Sequence, residues 1–255
     1  RLHSPAPLGQ CPNLVNKKIN RKDYLHQQPN KENVMIYMAD TANIEELKKL
    51  YYYFPLVGVT TNPSILAVEK KPISEIIPAI AEIAGDGMMH IQVSSLTAEE
   101  MLKESLKYKE YFGLGDNYYS KIPVTMEGIK AIRMIKDAGI NVTATAIFTH
   151  QQALVAARAG ADFVAPYVSR LDNISSHGIE VVEHITKTLD HFQIDCKVLA
   201  ASFKTVDQVH RIVNRGCHSA TINFELLEAL RSHPMTTMAV DTFTVDSKGI
   251  YDIEF

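Results

Sequence analysis

The chain has 255 residues and a formal net charge of -3, from 26 basic and 29 acidic side chains. That balance excludes the broad cationic surface expected for nucleic-acid binding or membrane adsorption. Hydrophobic residues make up 46% and charged residues 22%, which excludes a disordered or fibrous polymer and supplies material for one large core.

Three cysteines without CxxC spacing argue against a disulfide framework and suit a reducing compartment, so the cytoplasm is the expected location. Ten histidines show no HExxH spacing, and neither a metal nor another cofactor is expected. No run approaches the roughly 18 consecutive apolar residues of a bilayer span.

Residues 1–33 are polar and rich in Pro, Asn, Gln and Lys, and read as a flexible extension or leader outside the fold. From Val34 onward, short apolar runs alternate with longer amphipathic ones. VMIYMAD (34–40) is the first expected strand, and NIEELKKLYYY then places Ile44, Leu47 and Leu50 on one helix face. LVGVT (56–60) and MHIQVS (89–94) follow as strands, and TAEEMLKESLKYKEYF is a helix opened by a capping Thr97. YYSKIPVT (118–125) precedes a helix ending at Gly139, and INVTATA (140–146) precedes one ending at Gly160, both suited to helix C-termini. DFVAPYV (162–168), KVLAAS (197–202) and SATIN (219–223) complete the strands, with helices near 178–192, 205–215 and 224–231.

Eight β-then-α units require a parallel sheet, because each crossover must hold a helix. No GxGxxG turn follows the first strand, which disfavours an open nucleotide-binding sheet. The expected architecture is a single-domain (β/α)₈ barrel over residues 34–233. Residues 234–255 form a C-terminal extension whose Met238, Val240 and Phe243 either pack back on the barrel or meet another subunit.

In such barrels the chemistry sits at the C-terminal strand ends. Lysine is rarely buried without a partner or a function, and Lys121 lies within an apolar run beside Tyr119 and Pro123. An inward Lys121 would offer a neutral amine as nucleophile; an outward one would snorkel to water. Asp40 closes the first strand and could pair with that lysine, bind a substrate hydroxyl or, as its position favours, cap the next helix. Thr60, Thr61 and Asn62 follow the second strand. Gln92, Thr145 and Tyr167 would converge if all face inward, to hold a water or to form an inert polar layer. Arg170 and Ser202 follow strands six and seven, where barrels often bind phosphate, although a lone arginine also suits a surface ion pair.

GVTTNPSIL (58–66), SKIPVTMEGIKAI (120–132), GADFVAPYVSRLD (160–172) and KVLAASFK (197–204) closely resemble the small transaldolase and fructose-6-phosphate aldolase family, in order from about Val34 to at least Pro234. The resemblance implies a (β/α)₈ barrel with a Schiff-base lysine on strand four, matched by Lys121. It implies hydroxyl binding by Asp40 and Asn62 with Thr60 nearby, and phosphate binding by Arg170 and Ser202. Gln92, where the transaldolase branch usually carries glutamate, and Tyr167, where it usually carries phenylalanine, look with Thr145 like the aldolase branch.

The implied activity is class I cleavage of fructose 6-phosphate to dihydroxyacetone and glyceraldehyde 3-phosphate. A transaldolase passing the dihydroxyacetone unit to erythrose 4-phosphate is the alternative, and a non-catalytic phosphate-binding or assembly module is the reading from another class. The expected partner is a sugar-phosphate substrate, with no nucleic acid and no membrane. Family resemblance further implies a homo-oligomer, a pentamer or decamer. The leader and the ending SKGIYDIEF depart from the family pattern.

Overall fold

The computed structural model describes residues 35–251, so the 1–33 leader lies outside the described residues. Eight parallel strands close on themselves in sequence order: β1 (Ile36–Asp40), β2 (Gly58–Thr60), β3 (Met88–Gln92), β4 (Tyr118–Pro123), β5 (Asn141–Ile147), β6 (Phe163–Pro166), β7 (Lys197–Ala200) and β8 (Ser219–Ile222). The barrel closes where β1 pairs with β8, Ile36 opposite Ser219 through Ala39 opposite Ile222.

Helices occupy every crossover: α1 (Ile44–Tyr53), α2 (Pro63–Val68), α3 (Ile73–Ala84), α4 (Ala98–Tyr111), α5 (Met126–Asp137), α6 (His150–Arg158), α7 (Val168–Asp172), α8 (Gly178–His191), α9 (Val206–Asn214) and α10 (Phe224–Arg231). A final helix, α11 (Pro234–Asp246), follows the last barrel unit. All eight expected strand runs are present, each end within two residues of its expected place; β3 begins one residue earlier and β5 ends one residue later than expected. The segments α2, α3 and α7 are the elements that periodicity alone did not mark. Pro63, Pro72 and Pro78 interrupt the pattern there, yet Pro63 opens α2, Pro72 caps α3 and Pro78 lies within it.

Local chemistry sets the helix starts. Thr97, Thr125, Thr149 and Thr205 each accept a backbone N–H of the first helical turn through Oγ1. Gln152 and Gln208 answer Thr149 and Thr205 to complete capping boxes. Each such cap stabilises its helix by about 1 kcal/mol and fixes the turn out of the preceding strand. Asn43 caps α1, its Oδ1 accepting from Glu45 and Glu46 N–H. That overturns the capping role favoured for Asp40 by position: three residues closer to the helix, Asn43 takes the job. Gly139 and Gly160 do sit just past helix ends, with φ of 73° and 105°.

The strands are buried on both faces. Their outward residues, such as Val59, Ile91, Ile122, Val142, Val164, Val198 and Ala220, join the helices in one continuous core. Their inward residues fill the barrel: Met38, Phe163 and Leu199 pack with Ile36, Val57, Met88 and Tyr119 in a separate apolar layer. α11 contributes to neither core. None of its residues is buried, with Met238 60% and Phe243 67% exposed, so the self-packing reading of this segment is overturned. No helix among the described residues is long and apolar enough to cross a membrane.

Gly128 is where the fit is tightest. It lies buried in the first turn of α5, and a Cβ there would overlap the carbonyl oxygen of Pro123 at the end of β4. Absence of a side chain lets α5 lie directly on the strand that carries Lys121. Gly128→Ala is therefore expected to destabilise by about 1–3 kcal/mol through overpacking. That corresponds to a Tm lower by roughly 3–9 °C in a scanning melt at this chain length.

Candidate active site

At the C-terminal mouth of the barrel is a cavity of about 470 Å³. Asp40, Asn62, Gln92, Lys121, Tyr167, Arg170 and Ser202 all line it, so seven of the nine residues singled out from sequence converge on one space. The two others, Thr60 and Thr145, are fully buried just behind it.

Lys121 is 4% exposed and projects inward from β4. Its Nζ donates to the Thr61 carbonyl at 3.1 Å, and among the described residues no carboxylate lies within ion-pair distance. Of the alternatives open for Asp40, pairing with Lys121 is not the one made. Asp40 instead accepts from Thr60 Oγ1 at 2.6 Å, and Thr60 Oγ1 lies 2.6 Å from Thr221 Oγ1. The single hydroxyl proton of Thr60 is committed to the carboxylate, so Thr221 is the donor to Thr60. A chain of two hydroxyls thus aims Asp40. Thr60 has both sides of its hydroxyl engaged within this chain.

Gln92 is level with Lys121 in the β3–β4 register, and Thr145 is level with Pro123 across β4–β5. Thr145 Oγ1 lies 3.0 Å from the Tyr167 hydroxyl. β5 is irregular here: its pairing with β6 shifts between Ala144 and Ile147, and Ala146 takes φ 57°. The bulge turns Ala146 to the cavity directly after the inward Thr145. Tyr167 is held by edge contact with Phe148 (centroids 5.6 Å apart), and the Arg170 guanidinium lies 4.8 Å from its ring centre.

Arg170 is exposed and has no ion-pair partner among the described residues. It lines the cavity together with Ser202 and Lys204. Ser202 takes φ 62°, and its carbonyl accepts from Ser169 N–H at 2.8 Å, joining the β7 end to α7. Asn62 lines the cavity while its Oδ1 caps α2 by accepting from Ile65 N–H at 3.1 Å. Its amide N–H₂ is the group left for a ligand. Thr221, Asn223 and Lys204 are cavity residues that sequence reasoning did not name as such; the strand-end rule applied to β8 and to the residue after SF would have found them.

His90 also escaped notice. It is fully buried one inward position below Gln92, with Nδ1 2.7 Å from Thr143 Oγ1 and Nε2 without a hydrogen-bond partner. Burial, and then the charge of Lys121, push its pKa down to about 3, so it is neutral at physiological pH. A second, wider depression of about 670 Å³, lined by His150, His184, Lys187 and His191, lies among the outer helices and touches no strand end. Among the described residues no group of three or more His, Cys, Asp or Glu could hold a metal ion.

The chain matches the family model described as transaldolase/fructose-6-phosphate aldolase over residues 37–252. It belongs to the transaldolase/fructose-6-phosphate aldolase family. Curated relatives agree. A "probable transaldolase" of Hydrogenobaculum sp. (strain Y04AAS1) is 39% identical over 212 residues, covering 83% of this chain and 96% of the relative. "Probable transaldolase 2" of Bacillus cereus is 38% identical over 216 residues, covering 83% and 97%. Among solved structures, a candidate fructose-1,6-biphosphate aldolase from Coccidioides immitis aligns with a TM-score of 0.55 at 14% identity, over 86% of this chain and 88% of that one. At that identity the likeness speaks for the barrel alone.

The loop that follows Gln92 in this family member is clamped by one carboxylate. Glu104 of α4 accepts from the backbone N–H of Ser94 and Ser95 and from both their hydroxyls, between 2.6 and 3.0 Å. Burial opposes ionisation of Glu104, but the hydrogen bonds from Ser95, Tyr108 and Ser94 outweigh it and hold its pKa below the usual carboxylate value. A depressed folded pKa gives stability that is present above the unfolded pKa and is lost as pH falls through the folded one. Glu104→Gln is expected to lower Tm by about 3–6 °C at pH 7. Melts repeated down to pH 3 should show that gap closing; a gap that does not change with pH would refute the role given to the charge.

Proposed function

We propose that this chain cleaves fructose 6-phosphate through a Schiff base formed on Lys121. The observation that carries the reading is a buried lysine, without a carboxylate partner among the described residues, lining a cavity that also holds a carboxylate, an amide and a phenol. Burying an ammonium with one carbonyl as its partner costs stability that packing alone does not return, which is the mark of a functional group.

The amine of Lys121 attacks C2 of the open-chain ketose, and loss of water leaves an iminium. The C3–C4 bond then breaks, its electron pair passing into the iminium to give an enamine while the C4 hydroxyl loses its proton. A water held among Gln92, Thr145 and Tyr167 takes that proton, with Tyr167 as the acid/base member. Glyceraldehyde 3-phosphate leaves. Protonation of the enamine carbon and hydrolysis of the iminium release dihydroxyacetone and restore Lys121.

Asp40 and the free amide of Asn62 would orient the ketose hydroxyls. Arg170, Ser202 and Lys204, which all line the cavity, suit a phosphate remote from the reacting carbon. The apolar side chains exposed on α11 favour a homo-oligomer in which a second subunit covers them.

The names of the relatives favour a second reading, transaldolase, in which the enamine waits for an aldose acceptor. Gln92 and Tyr167 favour release instead: an amide positions a partner but cannot itself carry the proton that a carboxylate would shuttle.

The test is turnover of fructose 6-phosphate with no acceptor present, read as glyceraldehyde 3-phosphate in a coupled assay. Steady turnover abolished in Lys121→Met is the result expected of an aldolase; turnover that begins only with erythrose 4-phosphate would make it a transaldolase. Tyr167→Phe should lower kcat by about 10²-fold or more, and an unchanged kcat would remove Tyr167 from the proton path. Borohydride with dihydroxyacetone should fix a mass on the peptide holding Lys121. An adduct on Lys130, which pairs with Glu99 on the surface, would refute the assignment.

A further inference from the structure

The hydrogen bond between His90 and Thr143 joins strands that are not neighbours. His90 belongs to β3 and Thr143 to β5, and β4 runs between them. Both side chains point into the barrel, so the 2.7 Å bond crosses the inner surface of β4. The register fixes where it crosses: His90 is level with Tyr119, and Thr143 is level with Lys121. The bar therefore passes between those two inward side chains, directly beneath the stem of the lysine. On its lower side the imidazole stacks on Tyr119, with centroids 4.5 Å apart and planes 7° from parallel, and meets Phe163 edge-on at 5.3 Å.

Packing alone does not ask for a polar pair here. Met38, Phe163, Leu199 and Met88 form an apolar cluster beneath it with Tyr119, and His90 leaves Nε2 without a partner among the described residues. A large apolar side chain at this position would fill the same space with no orphaned nitrogen. What the pair provides is a rigid floor that carries no second positive charge under the lysine.

Lys121 needs such a floor. Its stem has four rotatable bonds, and the one hydrogen bond of Nζ, to the Thr61 carbonyl, must loosen as Nζ attacks a carbonyl carbon. We propose that the His90–Thr143 crossbar positions Lys121, keeping its stem extended toward the cavity while Nζ bonds to substrate. His90 and Thr143 act through the lysine as positioning residues, and the inference rests on the Schiff-base reading given above.

The full-length chain tests it. His90→Phe keeps the ring and its stacking but loses the bond, and Thr143→Val loses the same bond from the other end. At saturating dihydroxyacetone, the rate of borohydride trapping on Lys121 should fall about 10-fold in each, since misplacement of a reacting atom by a fraction of an ångström to 1 Å carries penalties up to about 10²-fold. kcat for fructose 6-phosphate should fall by a like factor with KM within about two-fold, the signature of a group that matters after binding. The double variant should be no slower than the slower single, and Thr143→Ser, which keeps the hydroxyl, should match the wild type.

Wild-type trapping rates in a folded His90→Phe or, if that variant does not fold, in Thr143→Val would overturn the crossbar. Absence of trapping in the wild type itself would overturn the Schiff-base reading beneath it. A fall in Tm with trapping rate and kcat unchanged would show that the bar only holds the barrel together.

Discussion

Alternation along strands in a closed barrel is the constraint on which this molecule depends. Each strand has only two faces, one toward the helices and one toward the barrel axis, and successive residues must take them in turn. Once Ile91 and Ile122 are committed to the outer core, Gln92 and Lys121 have no choice but to face inward. The same rule places His90 and Tyr119 one step lower and Met88 at the bottom. The site is thus a consequence of the outer apolar pattern, and a one-residue slip would turn the lysine into the helix layer.

Inside, the barrel changes character with height. Met38, Phe163 and Leu199 make an apolar plug. Above it come Thr60, His90, Thr143 and Thr221, which bond to one another in pairs and reach Asp40. At the mouth stand the groups that line the cavity. The middle layer lies between an apolar interior and the polar cavity: hydroxyls and a neutral imidazole have directional bonds but add no net charge, so they hold Asp40 and underlie Lys121 without burying a further ion.

What could be read from sequence followed from these same rules. Strands were legible because burial on both faces makes them apolar runs that stand out against amphipathic helices. The site residues were legible because a polar side chain ending such a run has few reasons to be there. Asp40 was misread for a local reason: helix caps are decided by which residue lies at the first free N–H, and Asn43 is nearer than Asp40. His90 was passed over because a histidine inside an apolar run reads as a satisfied core residue, and its partner is 53 positions away on a strand that is not its neighbour. The bulge at Ala146 left no signal, since a positive φ at alanine is imposed by the pairing of β5 with β6 and not by the residue itself.

That bulge links strain to chemistry. Five non-glycine residues among those described have positive φ, and two of them, Ala146 and Ser202, line the cavity. Such conformations cost about 1–3 kcal/mol each and persist where the surroundings impose them. At Ala146 the extra residue keeps Thr145 within 3.0 Å of the Tyr167 hydroxyl. At Ser202 it turns the chain so that its carbonyl meets the N–H of Ser169 in α7, the helix that carries Arg170. The two strained positions therefore hold the two groupings that the proposed reaction would use, the Thr145–Tyr167 hydroxyl pair and the residues around Arg170.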